Sequence, residues 1–333
     1  MVRMSDTSDL DLCLAPLRGV TGRAFRAVYC RHFQGLSRAM APFVPTVRGE
    51  RVKPAVLAEV RPDPGCTLPL IPQVIGKEPA DLVVMIGALR DLGYTRVDLN
   101  SGCPWPMVAR KGRGAGLLAD ADTLRRMLDA GCGAMPDGFS IKVRLGLKTP
   151  DLLAQRMEIL NAYPLCEVTI HPRTAKQMYE GHVDLAAFAA CLAICRHRVV
   201  YNGDVCTAAD GERLRLRHPD VRHWMIGRGL IADPFLAERL RGSTAPRDLS
   251  RLRAFLDDLL SVACEESHGE KPVLGRFKEL WGYLAPGLSR DGLLLKRIQL
   301  CHRLDEYRRT VDEAFARNPV WVERPDGFPS SVW

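Results

Sequence analysis

The chain has 333 residues, 47% hydrophobic and 26% charged, fractions that exclude a mainly disordered chain and a collagen-like repeat. No uninterrupted apolar run approaches the ~18 residues of a membrane span, and the opening MVRMSDTSDLDL carries acidic residues where a secretory leader needs an apolar core, so a cytoplasmic protein is expected. Lys and Arg number 47 against 39 Asp and Glu, a formal charge of +8 that suits an anionic partner such as nucleic acid, although a solvated basic surface accounts for it equally well.

In chain order, short β-rich runs alternate with stretches of helical periodicity. Strands are expected at 12–16 (LCLAP), 38–43 (RAMAPF), 69–75 (PLIPQVI), 94–100 (YTRVDLN), 139–145 (FSIKVRL), 166–171 (CEVTIH), 198–202 (RVVYN) and 222–227 (RHWMIG). The helices between and after them are expected at 21–33, 49–60, 78–92, 120–132, 150–162, 184–196, 207–217 and 233–241. Asp120 and Asp122, the pair Thr149-Pro150, and Thr207 are start signals for three of these. Eight strands alternating with eight helices over about 240 residues predict a (β/α)8 TIM barrel. Prolines interrupt the second and third strands, which makes them the least regular. A doubly wound sheet would need a switch point, and nothing in the chain marks one.

From STAPRD at 243–248 onward the pattern becomes purely helical, with basic residues between the apolar positions. The expected organisation is therefore a barrel over 1–242 and a small all-helical C-terminal domain over 243–333.

A barrel of this kind builds its site from the C-terminal ends of its strands. Those ends read Pro16-Leu17-Arg18, Gln73, Asp98-Leu99-Asn100, Lys142-Val143-Arg144, His171-Pro172-Arg173, Asn202-Gly203-Asp204 and Gly227-Arg228-Gly229. That is more polar than the lid of a dry core requires. The last two follow strands seven and eight, where barrels commonly bind phosphate. Glycine lets backbone N–H groups approach the oxygens, and arginine adds a bidentate contact. There is no G-K-[ST] of a P-loop, and Gly112, Gly114 and Gly116 lack the dinucleotide-binding spacing.

An odd count of eleven cysteines, spread along a long chain with no leader expected, predicts reduced thiols, and the absence of a C-x-x-C pair predicts no metal site. Most read as core residues. Cys103 is different: it lies just past strand four in DLNSGCP, held in a turn by Gly102 and Pro104. A thiol of ordinary pKa ~8.5 can donate a proton, and a nearby cation would instead make it a nucleophile; position alone leaves both roles open. Downstream, Arg110, Lys111 and Arg113 form a basic glycine-rich loop, either solvated or in contact with an anionic substrate.

At these residues the chain resembles the tRNA-dihydrouridine synthases, FMN enzymes with a (β/α)8 barrel and a helical tail. The motifs are D-x-N-x-G-C-P with Gly116-Leu117-Leu118 after it, K-x-R at Lys142 and Arg144, H-x-R-T-x-x-Q-x-Y from His171 to Tyr179, N-G-D at Asn202 and G-R-G at Gly227. The resemblance implies that Pro16, Leu17, Arg18 and Gln73 line the isoalloxazine of FMN. By the same resemblance Lys142 contacts the flavin ring, His171 sits beside flavin and base, and Asn202, Gly203, Asp204, Gly227 and Arg228 hold the phosphate. Cys103 becomes the general acid, the substrate is a uridine in tRNA, and NADPH is the reductant. Asn100, Arg144, Arg173, Arg110, Lys111 and Arg113 are the substrate-side candidates on the barrel. Lys278, Arg297, Arg308 and Arg309 are those on the tail, and a monomer is expected. The chain departs from the pattern at Trp105, where a small serine is usual, at Met107 for a lysine, at Pro42 and Pro45, and at Pro172. Two rival readings are an old-yellow-enzyme-like reductase of small molecules and an RNA-binding protein on a barrel scaffold.

Overall fold

A computed structural model describes residues 9–63, 65–289 and 291–323. The first βα unit is β1 (Asp11–Leu14) and α1 (Arg23–His32). The second expected strand is split into β2 (Arg38–Met40) and β3 (Val44–Pro45), and the third into β4 (Leu70–Ile71) and β5 (Gln73–Ile75). Then come α2 (Pro79–Asp91), β6 (Val97–Ser101), the single turn α3 (Pro106–Ala109), α4 (Ala121–Ala134), β7 (Phe139–Gly146), α5 (Leu152–Asn161), β8 (Glu167–Thr174) and α6 (Leu185–Ile194). The barrel ends with β9 (Val199–Tyr201), α7 (Ala208–Arg217), β10 (His223–Ile226), α8 (Arg228–Ala232) and α9 (Leu236–Leu240). Four helices follow: α10 (Leu249–Glu266), α11 (Glu270–Leu284), α12 (Leu293–Leu300) and α13 (Leu304–Ala316).

Every strand pairing is parallel, and β10 pairs with β1. β2 pairs with β4 and β3 with β5, so the two broken strands lie side by side along their whole length and the sheet closes as eight strands. Pro42 and Pro72 stand at the breaks, because proline has no N–H for the ladder. Pro72 still accepts through its carbonyl from Asp98 N at 2.9 Å.

The helix expected over 49–60 is absent; only a 3-10 turn, Ala58–Val60, forms there. Pro54 and Pro62 leave seven residues between them, too few to nucleate a helix, and Arg61 before Pro62 is extended at φ −62°, ψ 133°. The segment nevertheless buries Val52, Leu57 and Val60 in the core.

Strand alternation decides what faces inward. Val97, Leu99, Ile141, Val143, Val168 and Ile170 pack outward against the helices. Their neighbours on β6–β8 (Asp98, Asn100, Ser140, Lys142, Thr169, His171) therefore point into the barrel. Across from them, Cys13, Met40, Ile71, Val200 and Met225 form a separate apolar cluster. The barrel interior is thus half polar and half apolar.

The floor, at the N-terminal ends of the strands, is closed by ions. Arg38 donates to both carboxylate oxygens of the fully buried Glu167 at 2.8 and 2.9 Å, and to Asp11 at 3.0 Å. Arg96 pairs with Glu167 at 2.8 Å, and His223 Nδ1 lies 2.9 Å from Asp11.

The tail packs on the barrel through aromatic contacts. Phe255 of α10 meets Phe25 and Tyr29 of α1 and Phe33 just after it, with ring centroids 5.7, 6.4 and 5.2 Å apart. Arg247 pairs with Asp233 at 2.6 Å, and Arg251 with Glu238 at 2.8 Å. The docking carries α11 to the barrel mouth.

Candidate active site

A cavity of about 700 Å³ opens at the C-terminal ends of the strands. Of the residues expected to bind a cofactor, Pro16, Leu17, Arg18, Lys142, His171, Asn202, Gly203, Gly227 and Arg228 line it, and so does Cys103. Asn100, Arg144, Lys111 and Arg113 line it as well. Gln73, Asp204, Arg110 and Arg173 are not among the lining residues. The wall also includes Phe43, Trp105, Met107, Tyr179, Glu279 and Tyr283, none of which the strand ends single out. Tyr179 closes the motif that begins at His171. Glu279 and Tyr283 stand four residues apart on one face of α11, a spacing visible in the chain, but only the docking of the tail brings them here.

The loop after β6 is held from beneath by a line of hydrogen bonds. Ser140 Oγ donates to Asp98 Oδ1 at 2.8 Å, and Gln73 Nε2 donates to Asp98 Oδ2 at 2.7 Å. Asn100 Nδ2 donates to Gln73 Oε1 at 2.7 Å, leaving Asn100 Oδ1 to accept from Gly102 N at 3.1 Å and Cys103 N at 2.8 Å. Gln73 and Asn100 thus support the thiol from below. The loop is also held from the side: Ala115 N donates to Cys103 O at 3.0 Å. Gly114, at φ +54°, lies so close that a Cβ there would meet Cys103 Cβ at 2.8 Å. A Cβ at Gly116 would meet Ala109 O at 2.1 Å, so the glycine-rich loop folds against α3 as one unit.

Arg144 and Arg173, both expected on the substrate side, are buried and engaged by protein groups. Arg144 is 2% exposed, and its guanidinium donates to the carbonyls of Gly102 (3.0 Å), Thr174 (2.9 Å) and Met178 (2.6 Å). It ties the cysteine loop to the loop after β8. Arg173 is 1% exposed and makes a bidentate pair with Asp204 at 2.6 and 2.9 Å. Asp204 also accepts from Arg228 at 2.9 Å. Asp204 is thus a brace for two arginines behind the cavity wall. Both arginines sit at alternate, inward positions of their strands, Arg144 on the cavity wall and Arg173 outside the lining set.

The cavity is strongly cationic, with Arg18, Lys111, Arg113, Lys142, Arg144 and Arg228 on its wall against the one carboxylate of Glu279. Burial, and after it the charges of Arg144 and Lys142, holds His171 well below its ordinary pKa, so the imidazole is neutral. Burial and Arg144 push the Lys142 ammonium down to about 8. Burial raises the Cys103 thiol, only partly offset by the Trp105 N–H and the charge of Arg144. At neutral pH the thiol is therefore protonated. Asp98, buried beneath the cavity, is pushed up to about 7.

The cations of the tail are largely matched by acids. Arg297 pairs with Glu313, Arg309 with Asp305 at 3.6 Å, and Arg253 with Asp257 and Asp312. Arg308 is exposed beside a cleft between α10 and α13.

The profile of the family described as "Dihydrouridine synthase (Dus)" matches residues 13–280, from β1 into α11. The chain belongs to the dihydrouridine synthase family. The activity of that family is flavin-dependent reduction of uridine, and membership makes this chain an oxidoreductase. A "Probable tRNA-dihydrouridine synthase" of Rhodobacter capsulatus is 31% identical over 244 residues, 72% of this chain and 74% of that protein. A tRNA-dihydrouridine(16) synthase of Cupriavidus necator is 31% identical over 293 residues, 81% of this chain and 88% of the relative. Among solved structures, morphinone reductase in complex with tetrahydroNAD superposes with a TM-score of 0.51, covering 72% of this chain and 89% of its own. At 12% identity that likeness is one of fold, and it agrees with the TIM barrel.

Proposed function

We propose that the protein reduces the 5,6 double bond of a uridine in tRNA to dihydrouridine, using FMN and NADPH. Position 16 is the proposed target, after the name of the Cupriavidus necator relative. The observation that carries the reading is a protonated thiol, Cys103, held rigidly on the wall of a cationic cavity within the family's matched span.

The donor set fits a flavin mononucleotide. Asn202, Gly203, Gly227 and Arg228 bring backbone, amide and guanidinium donors to one end of the cavity, as a phosphate requires. A Cβ at Gly229 would meet Val205 O at 2.2 Å, so the loops after β9 and β10 run in contact and form one cradle. Pro16, Leu17 and Arg18, with Lys142 and His171, would hold the ring, and Gln73 would support it from the floor. Bound and reduced, FMN would supply the hydride that uridine C6 needs. Cys103 gives its proton to C5, so the two additions together saturate the bond. Lys142 presents an ammonium to the negative charge on the reduced ring, and neutral His171 stands ready to hydrogen-bond the base. Lys111 and Arg113 at the mouth, with Arg110 exposed beside them, meet phosphates of the RNA. The tail is the second RNA-binding domain. Its surface ion pairs are weak and exchangeable for phosphate contacts. A monomer acting in the cytoplasm completes the proposal.

The test is mass spectrometry of tRNA from a strain lacking the gene and any other synthase, with and without the gene restored. Dihydrouridine at position 16 should return only with the gene; equal content in both strains would sink the reading. tRNA binding by a colourless protein that restores nothing would favour the RNA-binding rival.

The Lys142 ammonium leads to a pH prediction. Its charged form exists below about 8, so single-turnover reduction should slow as pH rises through about 8. In Lys142→Met that descending limb should vanish, leaving a slower and flatter profile up to the titration of Cys103. An unchanged limb in the variant would remove Lys142 from the chemistry.

A further inference from the structure

Trp105 and Met107 are the large apolar side chains of the cysteine loop, and both face solvent, at 59% and 78% exposure. Large aromatics are usually buried, and one left open at the rim of a cavity marks a contact surface. The backbone fixes where the ring stands. Trp105 lies between Pro104 and Pro106, and its carbonyl accepts from Val108 N and Ala109 N at 2.9 Å each, opening α3. Behind it, the glycine-rich loop packs onto α3 and Cys103, so the ring cannot swing away with a mobile loop.

One rigid element therefore presents three chemistries to the cavity: a thiol inside it, an aromatic ring exposed at its wall, and the cations Lys111 and Arg113 on the same wall. That combination matches a nucleic-acid strand, whose bases stack on aromatic faces while its phosphates meet Lys and Arg. A second copy of this chain would bring like charges against the same rim. Cys103 is 6% exposed, so a uridine whose C5 meets the thiol lies inside. What reaches Trp105 is the RNA still outside. Extruding a base also leaves its neighbour with an uncovered face, and a rigid ring there restores the lost stacking.

We propose that Trp105 is a stacking platform for the nucleobase next to the uridine that enters the cavity. The proposal rests on the tRNA reading above and adds to it the residue that recognises the flanking nucleotide.

The experiment uses the flavin-loaded full chain with Trp105→Ala and Trp105→Phe. The substrate is a tRNA transcript carrying fluorescent 2-aminopurine beside the target uridine. Trp105→Ala should raise KM for tRNA about tenfold or more and move kcat less, and Trp105→Phe should restore most of the loss. Binding to the wild type should quench the 2-aminopurine; the quench should be lost in Trp105→Ala and kept in Trp105→Phe. The KM penalty of Trp105→Ala should be insensitive to salt, whereas that of Lys111→Ala with Arg113→Ala should shrink as salt rises. Equal KM and equal quenching in wild type and Trp105→Ala would overturn the proposal, as would a variant that changes only self-association. If the wild type forms no dihydrouridine, it is the functional reading that fails.

Discussion

Cys103→Ala is expected to lower kcat for dihydrouridine formation by about 10²- to 10⁴-fold, the usual range for removing a positioned general acid. Flavin content and tRNA affinity should stay near those of the parent, because the contacts that fix the loop are made by backbone groups of residue 103. Its N–H donates to Asn100 and its carbonyl accepts from Ala115, and alanine keeps both. The thiol is suited to this work because burial raises its pKa and keeps the proton on sulfur at neutral pH. A nucleophilic role would need the opposite shift. Cys103→Ser, a weaker acid of nearly the same shape, should fall between the two enzymes. Single-turnover reduction of tRNA by pre-reduced enzyme is the measurement. A Cys103→Ala rate within about threefold of the parent would remove the thiol from proton transfer.

Glu167→Gln is expected to destabilise the fold by about 3–5 kcal/mol, the cost of leaving buried partners uncompensated. Glu167 has no exposed surface, and it neutralises Arg38 and Arg96 at the barrel floor. Burial alone would raise its pKa, but the two guanidinium groups outweigh burial and lower it. Asp11 behaves alike: burial opposes its charge, and His223 and Arg38 bring it to about 2. For carboxylates depressed in the fold, stability is present above their unfolded pKa and lost as pH falls toward the folded one. The wild type should therefore weaken between about pH 4 and pH 2, and Glu167→Gln should show a shallower loss over that range. Urea unfolding at neutral and acid pH measures both quantities. A change below about 1 kcal/mol at neutral pH would mean that the floor relaxes or admits water.

Much of the architecture is legible in the chain because period-two alternation is a local property. The runs around β6, β7 and β8 alternate an apolar outer set with a polar inner one, and the proline breaks in strands two and three appear where Pro42 and Pro72 stand. The helix expected at 49–60 fails for an equally local reason, two prolines with only seven residues between them, which the apolar spacing of Val52, Leu57 and Val60 masks. In the tail, α12 and α13 separate where the backbone turns extended at Cys301.

Short-range pattern and turn chemistry are enough to specify the barrel, the order of its motifs and the loop that presents Cys103. Closure of the barrel, by contrast, settles how each charge is held. Arg144 and Arg173 leave their strands just as Lys142 does, yet the carbonyls of Thr174 and Met178 hold Arg144 at the cavity wall, and the carboxylate of Asp204 engages Arg173 outside the lining set. Glu279 and Tyr283 reach the cavity from α11, more than 170 residues after Cys103, because the aromatic seam between α1 and α10 docks the tail there. Such placements depend on contacts between distant segments, and no local pattern encodes them.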